Sequence, residues 1–402
     1  MATGDQTLIN FPRDTTLQDI AQSLQTIAFT QAANLENISN WDQISGLSRN
    51  GYAQKIFNYG DQFVEKWTDT AASVEYEYPW RVNHFENVEL ENGEVVPGMY
   101  LQAHYAHPFG VQFSQNRAFL RCPNGLQAGT YNITLGAAWG SKDAQKDTTW
   151  QFTLTQDVPV GGCLNGFYQM PDVAASTWKV TSYAADRITK IETVPVSSGS
   201  EGTALGIMQL NTRNGDLNSM QETGYGWNRW KTSALRQYLN SDQPKGKWWT
   251  PQDDWDVAPD QLATKDGFLR GLPENMIRAI KTVKVVTYTN TVQDGGEADI
   301  TYDKVFLPSL EQMYYNPQIA GEGNAHEYWK RRSGSKTKLP QYQAFPRMIT
   351  YAVENHTSPQ LVRLRSAYRG YAGNVWYVST GGYAYYGGIA TSANRFAPLV
   401  VI

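Results

Sequence analysis

The chain has 402 residues, room for two or three domains that each bury a core, and a formal net charge of −4 that offers no basic face for nucleic acid. With 13 Trp and 24 Tyr against 18% charged residues, it has the make-up of a β-rich recognition protein rather than a helical enzyme. Residues 1–14 lack a basic stretch followed by an apolar core, and no apolar run is long enough to cross a membrane, so neither a signal peptide nor a membrane anchor is expected.

Thr15 or Thr16 can cap a helix in which Leu17, Ile20, Ala21, Leu24, Ile27 and Ala28 recur at the spacing of a coiled-coil seam. About two heptads do not hold together alone in water. Residues 1–50 are therefore expected to be a helical segment for oligomerisation, as a homotrimer, or for attachment; the alternative is that the seam packs on the chain's own sheet. Leu35, Ile38, Trp41, Ile44 and Leu47 continue a three-residue spacing that Asn50-Gly51 ends.

Residues 51–160 read as short strands separated by turns, the pattern of a β-sandwich or jelly roll. Val74 to Tyr78 alternates, and Asn92-Gly93 marks a hairpin before Val95-Val96. Met99 to His104, Val111 to Phe113, Thr130 to Thr134 and Thr149 to Leu154 are the further expected strands. His84, His104 and His107 are the candidate metal ligands, but His104 and His107 have opposite strand parity and do not converge, so packed histidines and no metal are expected. Cys122 and Cys163 fall in different expected domains and read as reduced, buried thiols.

Val158 to Gly162 reads as a junction, and 161–402 as a second domain. Trp178 to Val180 and Ile191 to Val196 are expected strands, the latter before a polar loop. Beyond the loop, Gly226-Trp227-Asn228-Arg229-Trp230 precedes a helix lined by Trp230, Ala234, Leu235, Tyr238 and Leu239. Pro273 opens another helix, and Val283 to Val292 alternates as a strand turned by Gly295-Gly296. Val305 to Met313 reads as a strand running into a helix. Asp253, Asp254, Asp256 and Asp260 lack the spacing of a calcium loop or a glycosidase pair and read as a surface loop, as do Lys330-Arg331-Arg332 with Lys336 and Lys338. No P-loop, nucleophile elbow or zincin motif is present.

The last stretch differs from all of this. From Ser366 to the end there is no Asp, Glu or Lys, only Arg369 and Arg395, amid Tyr, Gly, Ser, Asn and Ala, the residues that antibody loops use for stiff contact area and adaptable hydrogen bonds. Strand parity puts Trp376 and Val378 inward, and Val375, Tyr377 and Ser379 outward. Gly381-Gly382 is expected to form a two-residue turn that returns Tyr383 and Tyr385 on the outer face with Ala384 inward.

The run Leu364-Arg365-Ser366, Arg369-Gly370, Trp376-x-Val378, Gly382 and Asn394 to Pro398 resembles the C-terminus of variable proteins diversified by retroelements. The WNRW, SALRQYLN and KVFLPSLEQM stretches resemble the framework of the same family, and the likeness spans roughly 162–402. The resemblance implies an α+β chain: an N-terminal helical segment and a β-sandwich or jelly-roll domain, followed by a C-type-lectin-like domain related to formylglycine-generating enzymes and the phage tropism determinant. It implies a variable region over about 365–402. There, adenine-directed mutagenesis rewrites the ligand-binding positions Tyr368, Tyr371, Gly373, Asn374, Tyr377, Ser379, Tyr383, Tyr385, Tyr386, Gly387 and Gly388.

The function so implied is a phage receptor-binding or adhesion protein on the virion, in a tail or fibre, or encoded by a prophage. Its partners would be a bacterial cell-surface protein or glycan, its own copies in a homotrimer, and other virion proteins through the N-terminal region. No catalytic residue, metal or other cofactor is expected. The alternatives are a surface-polysaccharide-degrading enzyme, for which no carboxylate pair stands out, and a formylglycine-generating-type enzyme, whose paired cysteines the domain lacks, having Cys163 alone.

Overall fold

The computed structural model describes residues 40–115 and 226–402, apart from 253–255, 257, 292–293 and 372, together with Gln127 and the short strands between 119 and 221. The Leu17 to Ala28 seam, Leu35 and Ile38, Trp178-Lys179, Glu192 to Val196 with the polar loop after it, and Asp253 and Asp254 lie outside the described residues.

Among the described residues, strands follow one another as β1 (Gln62–Asp69), β2 (Val74–Glu89), β3 (Val95–Ala103), β4 (Phe119–Cys122), β5 (Gly129–Thr134), β6 (Thr149–Leu154), β7 (Gly162–Asn165), β8 (Val180–Ala184), β9 (Arg187–Ile191) and β10 (Met220–Gln221). The second half adds β11 (Val283–Tyr288), β12 (Ala298–Asp303), β13 (Val305–Phe306), β14 (Thr350–Tyr351), β15 (Pro359–Gln360), β16 (Val362–Ala367), β17 (Asn374–Val378), β18 (Ala384–Ile389) and β19 (Leu399–Val401). Short helices at Trp41–Arg49, Ala234–Leu239, Glu274–Ala279 and Glu327–Ser333 complete a mixed α+β architecture of small antiparallel sheets.

The organising element is a five-stranded sheet in the order β1-β2-β3-β19-β13. β19 brings an almost wholly apolar run, Leu399 to Ile402, between β3 and β13, where all four residues are buried. A strand buried on both faces reads as continuous rather than alternating hydrophobicity, and this one does. The expected boundary at 160/161 is therefore not where the described chain divides: β1 to β3 share their sheet with strands from beyond it, and one core runs from Trp41 to Ile402. The same boundary is crossed by β4 and β7, which pair with Cys122 opposite Gly162 and Cys163 opposite Arg121. The two cysteines thus occupy neighbouring strands, not separate domains. Of the sandwich strands expected over 51–160, β1 to β3 belong to this shared sheet, while β4 pairs with β7 and β10 and β5 with β6.

Several local expectations hold. The Trp41–Arg49 helix is capped by the Asn40 side chain and ends at Asn50, and it buries Trp41, Ile44 and Leu47 while Trp41 Nε1 donates to Glu65 at 2.8 Å. This stretch packs into the core instead of standing apart with the N-terminal segment. The Asn92-Gly93 hairpin joins β2 to β3, the helix after Pro273 forms, and β11 alternates buried and half-buried residues. Others fail for identifiable reasons. Val111 to Phe113 is buried but makes no strand, since its backbone bonds go to Ala390 and Ala234. After β13 the chain makes a single turn instead of a helix: the reciprocal Ser309–Gln312 bonds open it as a capping box would, and it ends at Tyr314, which takes φ +65°. Lys330 to Arg332 sit on the Glu327–Ser333 helix, not a loop, with Lys330 and Arg331 paired to Glu327.

Candidate functional site

The Tyr-rich segment forms the sheet β16-β17-β18. β16 is its buried floor, with Val362 to Ala367 all inaccessible, although it carries two arginines. Both guanidinium groups bind backbone carbonyls. Arg363 Nη2 donates to Ile389 O at 2.8 Å and Ser392 O at 2.9 Å, and Arg365 Nη1 donates to Leu307 O at 2.7 Å. Burial pulls Arg363 down to about 9, and its Nε and Nη1 have no protein partner. Ser366 Oγ accepts from Leu310 N at 3.0 Å and donates to the Glu322 carboxylate, which burial holds above its ordinary value. The Leu364-Arg365-Ser366 motif is thus a fastening between the sheet and the 307–322 segment.

The Gly226 to Trp230 motif is a second fastening. Asn228 is fully buried, and its Nδ2 donates to three carbonyls of the tyrosine-bearing loop: Tyr368 O at 3.0 Å, Tyr371 O at 2.8 Å and Asn374 O at 2.7 Å. Its Oδ1 accepts from Asn290 Nδ2 at 3.0 Å, so the amide is fixed in orientation. Arg229 makes a two-pronged pair with Asp299 at 2.6 and 2.9 Å, and Trp230 Nε1 donates to Asp303 at 3.0 Å. The loop from 368 to 374 is held through main-chain atoms, which every residue type supplies. Asn228 thus grips none of the loop's side chains, although that of Arg369 is itself bonded to Thr289 O and Gly296 O.

On this scaffold the tyrosines meet. Tyr368 stacks on Tyr386 with centroids 4.2 Å apart, and Tyr386 on Tyr385 at 4.8 Å. Tyr377 and Tyr383 contact Tyr385 edge-on at 5.9 and 6.3 Å. All five are half-buried, not fully exposed. Trp376 is completely buried beneath them, 6.1 Å from Tyr386, with Nε1 on Gln318 at 3.1 Å. The neighbouring Tyr386 oxygen, to which it is hydrogen-bonded, raises the Tyr385 hydroxyl above its ordinary value, and partial burial followed by the Tyr383 and Tyr385 oxygens raises that of Tyr377. Neither ionises near neutrality. The two arginines are committed elsewhere, Arg369 to Thr289 O and Gly296 O at 3.1 and 3.0 Å, and Arg395 to Glu354 at 2.8 Å. The tyrosine cluster itself therefore contains no ionised side chain, with Tyr371, Asn374 and Gly387 half-buried within the same segment.

Three of the expected ligand-binding positions are not on it. Gly373, Ser379 and Gly388 are buried. Val375 is buried as well, because the 226–230 segment covers this end of β17 and its partner strands are bulged, which breaks simple alternation. Ser379 is drawn in by the turn. The hairpin has a three-residue loop, 380–382, closed by Ser379 N to Tyr383 O at 2.9 Å and Gly382 N to Ser379 O at 2.9 Å, while Ser379 Oγ accepts from Gly381 N and Tyr383 N. Only Gly382 takes positive φ, +71°, as the left-handed residue that ends such loops.

Sequence reading missed Tyr342. It lies outside the terminal stretch, in a polar loop with no periodicity, yet it is 55% exposed and packs 5.8 Å from Tyr385, 6.2 Å from Tyr386 and 6.0 Å from Trp376. The histidines are placed apart from this face. His107 is buried between the hydroxyls of Tyr78 and Tyr238, each at 3.2 Å, His104 faces Arg81 at 3.2 Å, and His84 stacks on the buried His326 at 5.3 Å. Among the described residues no three His, Cys, Asp or Glu side chains are grouped to hold a metal. Asp260 accepts from Gln112 and Gln115, and Asp256 from Gln252 N. No helix among them is long and apolar enough to cross a membrane.

Residues 205–397 match a protein-family profile described as a domain of unknown function, DUF6273. No curated protein and no solved structure matches the chain. The profile match covers less than half of the chain, but it contains both the Gly226 to Trp230 fastening and β16 to β18, so scaffold and tyrosine face fall within one matched stretch.

Proposed function

We propose that this chain is a binding protein of the retroelement-diversified type, whose C-terminal part is C-type-lectin-like and, sharing its sheet with β1 to β3, displays a variable tyrosine face to a bacterial cell-surface ligand. The observation that carries the reading is the division of labour in the terminal segment. Framework positions such as Arg363, Arg365, Trp376 and Gly382 are buried and bonded to scaffold, whereas Tyr368, Tyr377, Tyr383, Tyr385 and Tyr386 gather into one half-exposed, uncharged cluster. A surface that must change sequence without unfolding its host needs that arrangement. The loop bearing Tyr368 and Tyr371 meets the need further, being held through carbonyls by Asn228. In this reading the protein is non-catalytic, belongs to a phage or prophage particle, and associates as a trimer through its N-terminal segment.

The test is the DNA beside the coding sequence. A near-copy of the codons for 365–402 that differs only where the copy has adenine is expected, with differences at the codons for Tyr377, Tyr383 and Tyr385 and none at those for Trp376 and Gly382. Differences spread over all four bases, or falling on the buried positions, would overturn the reading.

A further inference from the structure

Tyr342 adopts φ +63°, the left-handed region that side chains larger than Asn or Asp rarely enter. Bulky residues persist there only where the surroundings hold them, and such outliers gather at functional sites. Here the surroundings do hold it: its N–H donates to Ala384 O at 3.0 Å, on the strand that carries Tyr385 and Tyr386. Yet the strained backbone buries little, since the ring is 55% exposed. The ring stands nearly perpendicular to Tyr385 and Tyr386, at 82° and 86°. A residue that serves stability alone would be buried, or would be Gly or Asn.

The ring geometry also bears on what the face takes. Tyr368, Tyr386 and Tyr385 lie in a column, with planes only 19° and 25° apart at successive contacts. Their facing sides cover one another, so the column offers fewer open ring faces for a sugar to stack on than separate tyrosines would. Rigid aromatic anchors with hydroxyl edges and no charge are the chemistry of protein paratopes.

We propose that Tyr342 is a fixed aromatic anchor, supplied by the scaffold, of a face that binds a protein surface. The inference rests on the tyrosine face being the binding surface, and the experiment separates the two. Full-length protein is displayed as two libraries, both varied at Tyr371, Tyr377, Tyr383 and Tyr385, one with Tyr342 intact and one with Tyr342→Gly. Each is selected against lysozyme as the probe. Binders are expected from the first library, and introducing Tyr342→Gly into them should weaken affinity about 10-fold or more. The unvaried Tyr342→Gly protein should melt no lower than wild type, since Gly relieves the strained φ.

Each failure has its own meaning. No binders from either library would overturn the tyrosine face itself. Binders that tolerate Tyr342→Gly, or a variant that melts well below wild type, would overturn the anchor alone and make Tyr342 structural. Wild-type binding to an array of neutral glycans that is lost in Tyr342→Gly would overturn the protein partner and leave the anchor standing.

Discussion

One amide side chain fixes the loop that bears Tyr368 and Tyr371. Asn228 has two N–H bonds and three carbonyls to satisfy, at 3.0, 2.8 and 2.7 Å, so one hydrogen is shared; its oxygen is in turn held by Asn290, which also reaches the buried Asp294. Replacing Asn228 by Ala removes the donors and leaves Tyr368 O and Tyr371 O only the long backbone bonds from Tyr371 N and Asn374 N, 3.4 and 3.5 Å, at a cost of about 1 to 3 kcal/mol, and Asp in its place adds a carboxylate facing the same carbonyls. Urea denaturation is therefore expected to rank wild type above Asn228→Ala, and Asn228→Ala above Asn228→Asp. A cost within about 0.5 kcal/mol for both variants, the level of surface substitutions, would show that the loop is held by something else.

At the scale of the hairpin, the two glycines of Gly381-Gly382 have unequal jobs. A Cβ on Gly382 would lie 2.1 Å from Phe345 O and the residue sits at φ +71°, while a Cβ on Gly381 would meet nothing nearer than the Tyr383 ring at 3.4 Å. Gly382→Ala is expected to cost about 2 kcal/mol or more and Gly381→Ala about 0.5 or less, read as shifts in denaturation midpoint. Equal costs would return the loop to the two-residue form. This is also where sequence legibility ends. The Gly-Gly pair announces a turn and Trp376-x-Val378 announces an inward face, and both are found. What the pair cannot announce is loop length, which depends on Ser379 Oγ capping the turn and on the approach of Phe345, a residue far away in sequence. The bulges opposite β17 are hidden in the same way, because parity is local and the covering 226–230 segment is not. β19 is the largest case: Leu399 to Ile402 reads as buried, but nothing in it names β3 and β13 as its neighbours.

The whole molecule couples these elements through a core that contains two imidazoles. His107 and His326 are fully buried, and burial pushes both well below the ordinary value of 6.5. His107 is met by the hydroxyls of Tyr78 and Tyr238, with Lys265 and Arg395 disfavouring charge. His326 lies against His84 and Tyr100 with Arg365 and Arg81 nearby, and neither of its ring nitrogens has a partner in the protein. Above pH 6.5 each ring is neutral whether the chain is folded or unfolded, so it adds no pH dependence. As pH falls below 6.5 the unfolded chain takes up a proton that the folded chain refuses, and stability is lost at up to about 1.4 kcal/mol per pH unit for each ring. Glu327 and Glu354 are held below their ordinary 4.5, so their loss comes at lower pH, while the raised Glu322 and Asp294 act in the opposite sense. Comparison with a variant isolates the histidine from these carboxylates. His326→Phe keeps a ring stacked on His84 and edge-on to Tyr100 and forfeits no side-chain hydrogen bond. It should match or exceed wild-type stability near pH 7, and between about pH 6 and pH 5 it should lose stability less steeply than wild type by about one proton. Urea denaturation at several pH values reads both quantities, and parallel slopes for the two proteins would mean that His326 takes up its proton without unfolding.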